Sequence, residues 1–211
     1  MKREVKILIL IFILLIPAAL YIFLQTFGQN EYSLPVYPVG GVEKLSDTGV
    51  NERIYSDKII LPDMYDPQGH HLEQEVFSEN IIVLELVSDG DNVLRRDYQI
   101  NRVSDIFRKE RSVRLLRVFE KGDTATYLEH DSGIDQRDNV SVCYIGIEEM
   151  RTLARHQLAL GVDHDQKMAL EQLVLIDKDQ RIRGYYDIRD VEDIDRLILE
   201  IKILLNQKTN V

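Results

Sequence analysis

The stretch from Glu171 to Leu205, EQLVLIDKDQRIRGYYDIRDVEDIDRLILEIKILL, constrains the fold most. Leu173 to Ile176 is a short aliphatic run bounded by the polar turn Asp177-Lys178-Asp179-Gln180, which suits a buried strand. From Arg181 to Tyr186 a second strand follows at hairpin distance. Its residues Ile182, Gly184 and Tyr186 alternate with Arg181, Arg183 and Tyr185, the period-2 pattern of a half-exposed strand at a sheet edge. A helix comes next. Asp190 can cap it, and Glu192, Asp193 and Asp195 place negative charge where the helix dipole favours it. Val191, Ile194, Leu197, Ile198, Ile201, Leu204 and Leu205 recur at spacings of three and four, so this helix packs one face onto a sheet.

At the other end, Lys2, Arg3 and Lys6 stand against Glu4, and Ile7 to Leu24 is eighteen residues without a charge. A helix of about 17 to 25 apolar residues spans a bilayer core. Basic residues before the apolar run predict a cytoplasmic N-terminus with the rest of the chain exported, periplasmic in a Gram-negative cell. A cleaved signal peptide is the rival reading, with Pro17 marking a kink or the end of its core. The run exceeds the ~7–15 residues of a signal core and no small-x-small site follows it, which favours a retained anchor. No cysteine lies nearby to carry a lipid. The expected organisation is therefore an N-terminus and anchor over 1–24, a tether over 25–50 containing Pro35, Pro38, Gly40 and Gly41, and one domain over 51–211.

Net charge is −10, and −12 for the part after the anchor. That argues against nucleic acid and an anionic membrane surface as ligands, because both demand a basic face. The acids are scattered, as on a solvated surface. Cys143, the chain's one cysteine, sits in the run Val140 to Ile145. Alternation puts Ser141, Cys143 and Ile145 on one face and Val140, Val142 and Tyr144 on the other, so Cys143 reads as a strand residue packed against a helix.

Between these ends, the pattern predicts a short strand at Lys58 to Leu61, a turn at Asp66-Pro67-Gln68-Gly69 and an apolar central strand at Ile81 to Val87. It continues with a helix from Asn92 to Phe107, a strand from Ser112 to Phe119, a strand from Val140 to Ile145 and a helix from Ile147 to Leu160. With the closing hairpin and helix, this order gives an α/β fold, a thioredoxin-like sandwich with a central mixed sheet flanked by helices, preceded by one transmembrane helix.

The run LVLIDKDQRIRGYYD, followed by an acidic helix start and DRLILEIKILL, resembles the C-terminal signature of the SCO/SenC family. Gly146 with Leu153-Ala154-Arg155, the N-terminal anchor and the Pro-containing tether add to the likeness. It is strong over about residues 140 to 205 and only positional between 55 and 110. The resemblance implies a membrane-tethered thioredoxin fold and, in the family, copper-chaperone or thiol-reductant work in assembling cytochrome c oxidase.

The family's ligands do not carry over. Its Cys-x-x-x-Cys motif follows the central strand, where thiolates gain from a helix N-terminus and can hold Cu(I). Here those positions fall on Gly90 and Leu94 in Ser88-Asp89-Gly90-Asp91-Asn92-Val93-Leu94, or within a residue or two. The family's histidine, counted back from Asp177, falls on Ala169. All three expected ligands are missing together, so the sequence predicts no catalytic residue, no cofactor site and no metal site of the family's kind.

Three functions stay open. The first is a non-enzymatic binding or assembly factor with a degenerate site, whose partners are the membrane and a respiratory-complex subunit or assembly factor. Ser88 to Asn92 and Gly161 to Gln166 would line its docking surface. A second is a rebuilt metal site using His164 with Asp89 and Asp91, suited to a borderline or hard divalent ion. The third works through Cys143 alone. His70-His71 alternates to opposite faces, and His130 and His156 have no convergent partners in sequence. Ser88 to Asn92 lacks the later acid of a calcium loop. No phosphate loop, His-Glu-x-x-His or Gly-x-Ser-x-Gly is present.

Overall fold

Ile81–Val87, buried at every position, is the strand around which the other elements are laid down. A computed structural model of the chain describes residues 3–27, 33–39, 42–45, 51–54, 58–72, 77–87, 93–121, 137–160 and 171–207. The chain divides into two units, 1–33 and 34–211.

The first unit holds helix α1 (Arg3–Phe27), which runs unbroken through Pro17. Phe12, Ile13, Leu15, Ile16, Leu20, Ile22 and Phe23 are exposed on it. Among the residues whose side chains are described, no helix is long and apolar enough to cross a membrane, the side chains at 7–11, 14 and 24–27 lying outside that set.

In the second unit, β1 (Val42–Leu45) and β2 (Asn51–Ile54) form an antiparallel hairpin of their own. The main sheet contains β3 (Ile81–Val87), β4 (Val113–Glu120), β5 (Val140–Ile145), β6 (Gln172–Ile176) and β7 (Ile182–Asp187), in the order β5-β4-β3-β6-β7. β3, β4 and β5 are parallel, whereas β6 and β7 continue the sheet antiparallel. The mixed sheet follows from the connections: helix α2 (Val93–Phe107) is long enough for a crossover, while Asp177 to Arg181 only closes a hairpin. One carboxylate sets that hairpin. Asp177 Oδ1 accepts from the N–H groups of Asp179 and Arg181, both at 2.9 Å, and Gln180 takes a left-handed φ of 65°.

Two layers cover the sheet. On one face α2 and the last helix, α4 (Val191–Asn206), bury Ile100, Val103, Phe107, Ile194, Leu197, Ile198, Ile201 and Leu204 against Ile81, Val83, Leu115 and Leu173. Each such side chain contributes about 1.5–3 kcal/mol on leaving water. Asp190 caps α4 as expected, accepting from Glu192 N–H at 2.9 Å. Val191, expected on the buried face, is exposed at the helix start. On the other face, α3 (Ile147–Thr152) and the turn after it bury Met150 and Leu153, and the chain before β3 buries Met64 and Phe77, against Leu84, Leu86, Val118 and Cys143.

Three expectations need correcting. The predicted strand Lys58 to Leu61 joins no sheet; Ile59 N–H bonds the Gln180 carbonyl (2.8 Å) and Ile60 N–H the Gln157 side chain (3.2 Å). The predicted helix to Leu160 is α-helical only to Thr152. It widens into a π turn over Leu153–Gln157, with Leu158 N–H bonding Leu153 C=O (2.9 Å), and Ala159 then turns left-handed at φ 50°. The stretch read as a tether is in part built into the fold. Tyr37 N–H bonds Ile182 C=O on the free edge of β7 (2.9 Å), Arg183 reaches Leu34 C=O (3.1 Å), and Val39 is buried in the core. The turn at Asp66 to Gly69 forms as expected, with Gly69 at φ 85°.

Candidate functional site

The apolar run of β3 contains one acid. Glu85 shares its face with Ile81, Val83 and Val87, and a buried carboxylate requires a counter-charge. The parallel register sets it beside Arg117 on β4, whose Nε donates to Glu85 Oε2 at 2.8 Å. From α2, Asp97 places Oδ1 3.0 Å from the other end of the same guanidinium. These three side chains are at most 5% exposed. Two carboxylates therefore hold one guanidinium, which lies 5.5 Å from the Phe119 ring. Beyond it, Val87, Phe119, Val142 and Tyr144 close the sheet's end as a small apolar cluster.

This cluster sits below the edge where β3 and β4 end. Leu173 pairs with Glu85, so β6 begins at that same edge. The segments 88–92 and 161–170 are thus joined to neighbouring points of one rim, at Val87 and Glu171. In open α/β sheets, ligands bind outside the carboxyl ends of the parallel strands.

Structures already solved share the fold. A SCO1/SenC family lipoprotein from Bacillus anthracis matches with a TM-score of 0.57 and 8% identity, over 71% of this chain and 95% of that one. BsSco, a member of the Sco family of cytochrome c oxidase assembly proteins, matches with a TM-score of 0.57 and 12% identity, over 72% and 95%. A thiol peroxidase from Chromobacterium violaceum matches with a TM-score of 0.50 and 17% identity, over 85% and 96%. The chain has the thioredoxin fold. No family model matches the sequence, and no curated protein does.

Within the thioredoxin fold, the residues singled out in sequence fare differently. Asp89, Gly90, Asp91, His164 and Ala169 lie outside the described residues, as does the side chain of Leu94. His130 is also outside, and His156 is exposed on the π turn. His70 and His71 diverge as alternation requires: His70 Nδ1 meets Asp66 Oδ2 at 3.1 Å, and His71 Nε2 meets Asp63 Oδ1 at 3.0 Å. Among the described residues no group of three His, Cys, Asp or Glu side chains is placed to hold a metal ion.

Cys143 is fully buried on the sheet face opposite the Glu85 cluster, in the core built with Met150, Leu153 and Ala154. Its Sγ lies 3.5 Å from Met64 Sδ and 3.3 Å from Arg117 C=O. Burial pushes the thiol's pKa up, so the reactive thiolate is disfavoured. The thiol serves packing.

Sequence reading missed the Glu85–Arg117–Asp97 cluster. The available signal was a single acid inside an otherwise aliphatic strand and an arginine at the matching place in SVRLLRVF. Chemically, the cluster is a fixed set of charges below the rim.

Proposed function

We propose that this chain is a membrane-anchored, extracytoplasmic binding protein that uses the thioredoxin scaffold without thiol or copper chemistry, as an assembly factor for a respiratory complex, cytochrome c oxidase first among them. One observation carries the reading. The chain's single cysteine is sealed in the core on the far face of the sheet, leaving the rim after β3 without a thiol. The uncharged run Ile7 to Leu24 within α1, with its exposed apolar side chains, supports the anchor. The likeness to BsSco, whose family assembles cytochrome c oxidase, supports the choice of partner.

The rim segments Ser88 to Asn92 and Gly161 to Gln166 are the expected docking surface, since the strands that carry them end side by side. Crosslinking of the full chain in native membranes tests this reading. Adducts to a respiratory-complex subunit or assembly factor, lost when residues 88–92 are replaced by Gly and Ser, are expected. A chain recovered in the soluble cytoplasmic fraction with no such adduct contradicts it.

A further inference from the structure

Helices α2 and α4 lie on the same face of the sheet and run in the same direction. β3, β4 and β7 are parallel, because β3 pairs parallel with β4 and both β3 and β7 pair antiparallel with β6; α2 packs back over β4 and α4 over β7. Arg102 of α2 is salt-bridged to Asp195 of α4, which fixes the register between the two helices. One turn earlier stand Tyr98 and Val191, 67% and 51% exposed; one turn later stand Ile106 and Leu199, 45% and 59% exposed. Residues four apart share a helix face. The outer surface of the helix pair is therefore a stripe: apolar, an ion pair, apolar.

Scattered apolar side chains on a surface are ordinary. Four of them in register about one ion pair make a self-complementary surface, on which a two-fold rotation sets apolar against apolar and each charge against its opposite. We propose that two copies of the chain associate through this stripe, about a two-fold axis running along the helices. That axis sets Arg102 of each copy opposite Asp195 of the other, Ile106 opposite Leu199 and Tyr98 opposite Val191. An axis across the helices would oppose Arg102 to Arg102 and Asp195 to Asp195, so charge selects the first. Lys109 and Lys202 lie about a turn further on, at the exposed rim, where salt screens their repulsion. Two helices of this length offer about 450 Å² per copy, from a rise of ~1.5 Å per residue and a width of ~10 Å each. That is below the ~800 Å² per partner of a standard interface, so the dimer is reversible and weak.

Sedimentation equilibrium of the full-length chain in detergent, over micromolar concentrations, tests this. A reversible monomer–dimer equilibrium is expected, weakened about tenfold or more by Asp195→Arg and restored by Arg102→Asp combined with Asp195→Arg. Leu199→Glu, on an exposed side chain that the fold does not need, is expected to leave the melting temperature unchanged and the chain monomeric. It carries the test if the charge variants loosen the fold. A wild-type chain that stays monomeric overturns the proposal. So does a dimer indifferent to Leu199→Glu, as association through α1 would be.

Discussion

Arg117 Nε lies 2.8 Å from Glu85 Oε2 on neighbouring parallel strands, both side chains sealed from water in the middle of the sheet. Asp97 holds the guanidinium from the helix above. Burying such charges costs several kcal/mol per ion, offset only by their mutual attraction and hydrogen bonds. Removing one member leaves the others unbalanced.

Arg117→Met is therefore expected to destabilise the domain by about 3–5 kcal/mol, because it removes the guanidinium that two buried carboxylates share. Glu85→Gln should cost less, since Asp97 still faces the guanidinium. Urea denaturation ranks the two, and equal costs would mean that Asp97 does not share the charge.

Gly184 is fixed by its neighbour. A Cβ there would fall 2.2 Å from Tyr186 Oη and 2.6 and 2.9 Å from two of its ring carbons. Gly184→Ala should cost about 1–3 kcal/mol by overpacking. Tyr186→Phe in the same chain should not rescue it, because the ring carbons remain in the way. A rescued melting temperature would show that the hydroxyl alone makes the contact.

Tyr186 Oη donates to Glu200 Oε2 at 2.5 Å. Burial first, then the bond to Glu200 and its negative charge, push the Tyr186 phenol pKa up. The group binds its proton more tightly folded than unfolded. Its contribution is thus complete below the unfolded pKa of about 10 and is lost as pH rises above it. Chemical denaturation from pH 8 to 11 should show stability falling, with a smaller fall in Tyr186→Phe. A fall of the same size in that variant contradicts this.

Cys143 should ignore a thiol reagent in the folded domain and react once denatured, because burial both hides the sulfur and disfavours its thiolate. Stoichiometric labelling under native conditions would reopen a role for the thiol.

The closing hairpin and helix were legible because burial follows each element's period: Ile182, Gly184 and Tyr186 are the buried positions of β7, although the register shift at Leu175/Ile176 sends Ile182 into the core on the opposite face from Tyr186, and Ile194, Leu197, Ile198 and Ile201 line one helix face. The docked segment was not, since Tyr37 joins the fold through a backbone bond and an edge-on ring contact with Tyr185, and Val39 through burial, none of which leaves a period. The π turn was hidden too: Met150, Leu153, Ala154 and Leu158 suit an α-helix until one hydrogen bond lengthens. At the site, the missing thiols were plain in the sequence. The charged cluster was not, because Glu85 gains its partners from register and from α2, both set by tertiary packing.

The proposed function requires a thioredoxin scaffold without copper chemistry. Titration of the full-length chain in detergent with Cu(I), then Cu(II) and Zn(II), followed by calorimetry and melting temperature, tests it most directly. No binding tighter than about micromolar, the level of roughly 8 kcal/mol, and no rise in melting temperature are predicted. Tight one-to-one binding abolished by His164→Ala would contradict this and establish a rebuilt metal site that uses His164.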